Sequence, residues 1–100
     1  MALQEYQTAF DLGIVTVAVY KDFGNKYFKA NANIQTGWAS LNLRKYDDAI
    51  FYANQSLQLA NSSNKRVFKQ DVEINGFHIN DKANSSREII RMRLTISTNV

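Results

Sequence analysis

The chain contains no cysteine and no proline, and it has a single histidine among its 100 residues. Without cysteine there is no disulfide framework and no thiolate metal site, which agrees with a reducing compartment. The missing proline weighs against an all-β fold, whose tight turns and edge strands commonly use it, whereas helix interiors exclude it. His78 has no partners at metal-site or Ser-His-Asp spacing. No glycine-rich phosphate loop occurs either. Asp47 and Asp48 are adjacent, so on a helix they point about 100° apart and cannot share a proton. Catalysis therefore has no support in the sequence, and no metal or cofactor is expected. The excess of one sign of charge is also small. A net charge of +3 is mild for a compact nucleic-acid binder. The longest apolar run, residues 14–20, is far short of the roughly 20 residues that span a bilayer. The start, MALQEYQTAF, lacks the basic and apolar regions of a signal peptide. The expectation is a cytoplasmic protein with no membrane segment.

What is present suffices for a modest core. Hydrophobic residues make up 45% and aromatics 12%, which argues against disorder and suggests a single small domain over residues 1–100. Leu3, Tyr6, Phe10, Ile14 and Val17 recur at i+3 and i+4, so residues 2–23 read as a helix. The β-branched run 14–20 would also suit a buried strand, but the stripe begins well before it and no turn separates the two. Gly24 and Asn25 stop that helix. Residues 26–42 form the next, with Tyr27, Ala30, Ile34, Gly37, Trp38 and Leu41 on one side. A mid-helix glycine costs about 1 kcal/mol relative to alanine, so Gly37 implies a neighbouring helix pressed close. Leu43, Arg44 and Lys45 make a short corner. A third helix covers 46–60 through Tyr46, Ala49, Ile50, Ala53, Leu57 and Ala60, with Asp47 and Asp48 at its positive end. So short a corner makes the pair an antiparallel hairpin. Residues 61–64 break the pattern.

Beyond residue 65 two readings compete. Val67, Phe68, Val72, Ile74 and Ile79 fit a helix imperfectly, while 72–79 also reads as two short strands around Asn75-Gly76. Residues 80–86 are polar and suggest another break, and 87–96 suits either a fraying helix or a strand. The preferred fold is all-α, built of antiparallel helical hairpins. The alternative is α+β with a C-terminal β-hairpin.

Residues 46–49 echo 80–83 at a spacing of 34, and such periods mark stacked helical pairs. The spacing of Gly37, Ala39, Tyr46, Ala49 and Leu57 resembles the tetratricopeptide repeat (TPR), whose small residues there let two helices pack. The resemblance covers residues 30–64, with a poorer copy after it. Trp38, Ser40, Ser56 and Asn61 depart from the repeat's usual residues. The texture of KYDDAIFYANQSLQLANSSN is also similar to the repeat domains of peptide-sensing transcription regulators of Gram-positive bacteria. Nothing in residues 1–30 resembles their helix-turn-helix domain, so DNA binding does not carry over. Fewer than three such units rarely bury a continuous core. The expectation is therefore a homo-oligomer, part of a larger chain, or a different fold around one hairpin.

The resemblance implies a protein–protein interaction module that holds a peptide or protein segment on a concave helical face. Asn31, Gln35, Trp38 and Asn42 fall at i, i+4, i+7 and i+11 on that face. Side-chain amides can donate to and accept from a peptide backbone, and tryptophan supplies contact area. The plainer alternative makes Trp38 a core residue and the amides solvated. Lys65 and Lys69 match in type the basic positions that grip a terminal carboxylate in some repeats, against the plainer reading of surface lysines. Arg87, Arg91 and Arg93 with Lys82 form the densest basic stretch. Glu88 interrupts it and no aromatic platform accompanies it. Two alternatives remain beside the peptide-binding module: an α+β homodimer or inhibitor-like protein, and a nucleic-acid-binding module.

Overall fold

The described residues form four helices: α1 (Leu3–Asp22), α2 (Lys26–Asn42), α3 (Tyr46–Asn61) and α4 (Arg66–Thr98). The computed structural model describes residues 3–98, and side chains as far as Thr95. Among the described residues no strand forms, so the fold is all-α. The helix α2 lies at the centre and packs against α1, α3 and α4, while α3 also packs on α4.

Small residues make that central position possible. Ala30, Ala32, Gly37, Ala39 and Ser40 are all buried on α2. A Cβ on Gly37 would sit 3.3 Å from Ile79 Cδ1 and 3.7 Å from the Ala49 carbonyl oxygen, so the glycine does mark close approach by neighbouring helices. Gly13 plays the same part in α1, where a Cβ would stand 3.1 Å from Thr36 Cβ. That contact explains why the β-branched run 14–20 is helical: Phe10, Gly13 and Val17 share the side of α1 that meets α2, a match only a 3.6-residue period supplies. The buried hydroxyls are satisfied inside their own helices. Thr36 donates to the Ala32 carbonyl (2.8 Å), Ser40 to Thr36 (2.8 Å) and Ser56 to Ala53 (2.6 Å).

Local chemistry fixes the first two connections. Gly24 takes φ of +84° after α1, and Asn25 Oδ1 accepts from the Phe28 N–H at 3.0 Å to cap α2. In the corner, Arg44 adopts the left-handed conformation (φ 62°), and the Lys45 N–H donates back to the Ser40 carbonyl at 2.9 Å. The Lys45 ammonium sits 4.1 Å from the Phe10 ring centroid, tying the corner to α1.

The alternative β-hairpin over 72–79 is overturned. Those residues lie inside α4, a continuous helix of 33 residues and about 50 Å. It sets the 52 Å long dimension of the molecule. Val72, Gly76, Ile79 and Ala83 recur at helical spacing and are all buried, which an alternating strand would not achieve. At Gly76 the side chain of Leu57 packs so closely that a Cβ would lie 2.8 Å from its Cγ. The glycine serves helix packing rather than a turn. The break at 80–86 is likewise absent. Asn80 Nδ2 donates to Asn54 Oδ1 (2.9 Å) across to α3, and Ala83 is buried. The spacing-34 echo therefore has no structural counterpart, because residues 77–79 continue a helix where residues 43–45 turn a corner. The strand alternative for 87–96 fails for the same reason.

Candidate functional site

The seam between α2 and α4 is a groove whose walls come from both helices. From α2 come Tyr27, Asn31, Ile34, Gln35 and Trp38; from α4 come Phe68, Asp71, Val72 and Asn75. The cavity holds about 190 Å³. One end of its lining is aromatic: the Tyr27 and Phe68 rings meet at 5.8 Å, and Tyr27 also meets Phe28, outside the groove, edge-on at 5.9 Å. Asn31 and Gln35 are exposed along the rim, while Ile34 and Val72 floor it as part of the core. Asn75 Nδ2 donates to the Asp71 carbonyl (2.9 Å), which orients its amide beside the groove.

Trp38 is neither a plain core residue nor a free one. It is half-buried against the core, and its ring lies 5.2 Å from that of exposed His78 on α4. It also lines the next stretch of the same seam, with Leu41, Asn42, Arg44, Tyr46, Lys82 and Ser86. Asn42 spends one amide hydrogen on the Trp38 carbonyl at 2.8 Å. Thus Asn31, Gln35 and Trp38 line one stretch of the seam, and Trp38 and Asn42 line the next.

The two lysines are placed elsewhere. Lys69 is not among the residues that line the groove. Its ammonium stands 4.0 Å from Glu73 Oε1. Lys65 is exposed in the connection before α4, its N–H donating to Ser63 Oγ at 3.2 Å. The cations that do line the seam, Arg44 and Lys82, sit at the Asn42 end, opposite Asp71. Sequence reasoning missed the whole α4 wall, because Phe68, Asp71, Asn75 and Lys82 share a face only once 66–98 is one helix. The spacing 68, 71, 75, 82 was the available signal.

A second concavity of about 530 Å³ opens where α1 and α3 splay apart over α2, lined by Ile14, Val17, Lys21, Lys29, Phe51 and Tyr52 among others. The Tyr52 phenol is pushed above its ordinary range, first by burial and then by the nearby Asp48 carboxylate. Among the described residues no three His, Asp or Glu side chains converge as a metal site, and no helix is long and apolar enough to cross a membrane. No family model matches the chain, and no curated protein or solved structure matches it either.

Proposed function

We propose that the protein is a binding module that holds an extended peptide segment along the α2–α4 seam, as the tetratricopeptide resemblance of residues 30–64 implies. The observation that carries this reading is the convergence of Asn31, Gln35 and Trp38 with Asp71 and Asn75 on one groove. Amides on both walls can each pair with a peptide N–H or C=O, which fixes a backbone without demanding one side-chain sequence. From Tyr27 to Asn42 the α2 wall runs about 22 Å, the length of six or seven extended residues. Charge gives the seam a direction. Asp71 at the aromatic end favours a cationic group or an N-terminus, and Arg44 with Lys82 at the other favours a carboxylate. This replaces the carboxylate grip assigned to Lys65 and Lys69.

Selection from a random heptapeptide display library tests the reading. Enriched peptides should bind the wild type and quench or shift Trp38 fluorescence. Each should bind Gln35→Ala about 1 kcal/mol more weakly, roughly fivefold. Failure to enrich any peptide, or binders indifferent to both Asn31→Ala and Gln35→Ala, would remove the seam as the site.

A further inference from the structure

An exposed apolar surface lies on each of the chain's first and last helices. One is the outer side of α1, where Leu12, Val15 and Val19 recur at i, i+3 and i+7 and are 63%, 61% and 52% exposed. The side of α1 that meets α2 carries Phe10, Gly13 and Val17, so the outer stripe is a second apolar face on one helix. The other surface is the distal part of α4. Arg87 pairs with Asp47 in the first turn of α3 at 3.3 Å, and α4 continues beyond that point past the end of its neighbour. Every side chain from Glu88 to Thr95 is exposed, including Ile89 (51%), Ile90 (44%) and Met92 (61%). Ile90 falls on the same line as buried Val72, Gly76, Ile79 and Ala83. The core-facing stripe thus runs on after the body it covers has ended.

The two surfaces carry opposite charge. From Leu3 to Tyr20, α1 has Glu5 and Asp11 and no basic residue. From Lys82 to Thr95, α4 has Lys82, Arg87, Arg91 and Arg93 against the single carboxylate Glu88. The internal pairs that Arg87 and Arg91 make with Asp47 and Glu88 are solvent-exposed and weakly held. An acidic apolar ridge and a basic apolar ridge on one chain suit two copies rather than one, since among the described residues α1 and α4 do not pack on each other. We infer that the chain self-associates head to tail, the outer face of α1 in one copy seating against the distal segment of α4 in the next. Such an interface is heterologous: the dimer keeps one free ridge of each kind, one on each copy, so assembly continues beyond the dimer unless it closes into a ring.

Sedimentation or light scattering tests this with two point variants. Val15→Arg sets a cation against the arginines, and Ile90→Glu sets a carboxylate against the acids. Both positions are exposed, so far-UV circular dichroism should match the wild type; Leu12→Arg and Ile89→Glu serve if either variant loses helicity. The wild type should exceed the 11.4 kDa chain mass increasingly with concentration, and more in about 0.05 M than in about 0.5 M salt. Each variant alone should run as a monomer. Mixed, they should form a species of twice the chain mass and stop there, because one retains only the α1 ridge and the other only the α4 ridge. A wild type monomeric at every concentration, a salt-insensitive assembly, a variant that still assembles alone, or a mixture that stays monomeric would each overturn the inference.

Discussion

Replacing Ile79 by alanine tests the core and the register of α4 together. Among the described residues Ile79 is the largest fully buried side chain, and it sits 3.3 Å from where a Cβ on Gly37 would be. The substitution removes three buried carbons, about 2.4 kcal/mol at roughly 0.8 kcal/mol each. A cavity term adds to this, and the glycine opposite has no side chain to move in, so a total of about 3–4 kcal/mol is expected. With a urea slope of about 1.5 kcal/mol/M, the unfolding midpoint followed by circular dichroism should fall by about 2 M.

Ile74→Ala is the control. It deletes the same atoms in the same helix, but Ile74 is 71% exposed, so the effect should stay within about 0.5 kcal/mol. The pair separates the two readings of residues 72–79. In a hairpin turning at Asn75-Gly76, Val72 and Ile74 would share a face and Ile79 would pair across from Val72. In a helix, Val72 and Ile79 are inside and Ile74 outside. Equal losses for Ile79→Ala and Ile74→Ala, or a loss under about 1 kcal/mol for Ile79→Ala, would refute the packing described above.

Two further outcomes follow from single contacts. Gly76→Ala gains about 1 kcal/mol of helix propensity, but its Cβ would meet Leu57 Cγ, which is not the free end of the side chain. Overpacking of about 1–3 kcal/mol should win, giving a net loss of about 1 kcal/mol in urea unfolding. Tyr52 keeps its proton longer in the folded state than its ordinary pKa of 10.0 allows. Its contribution is complete below about pH 10 and lost as pH rises further, so melting temperature should decline less steeply above pH 10 in Tyr52→Phe.

The first three helices were legible because their signals are local. Gly24 with Asn25, the residues of the 43–45 corner and the acids opening α3 each act within a turn of the chain, and the boundaries of α2 and α3 follow from them. The fourth helix was ambiguous for the opposite reason. Asn75-Gly76 is a strong turn signal taken alone, and only Leu57 and Gly37, distant in sequence, convert Gly76 and Ile79 into packing residues. Tertiary contact overrode local preference. The candidate site divides in the same way. Asn31, Gln35, Trp38 and Asn42 share a face by arithmetic on one helix. Their opposite wall needed the register of another, and Lys65 and Lys69, chosen by family likeness, do not line that groove.

The core contains mainly small residues, and much of the larger apolar surface is outside it. Ala30, Ala49, Ala53, Ala60 and Ala83 are fully buried, whereas Leu12, Val15, Phe51 and Ile89 are at least half exposed. Close helix approach follows from the first fact, since alanine and glycine let backbones come together. The second makes each large buried residue, Ile79 above all, unusually important, because few others share its role. It also ties stability to association. If the α1 and α4 ridges meet between copies, burial that the isolated chain lacks becomes available, and folded copies are stabilised by mass action as concentration rises. A peptide held in the α2–α4 seam would act in the same direction by bridging the two helices that form the groove. Both proposals therefore depend on the standing of α4, the one helix that contributes to the core, the groove and the projecting ridge.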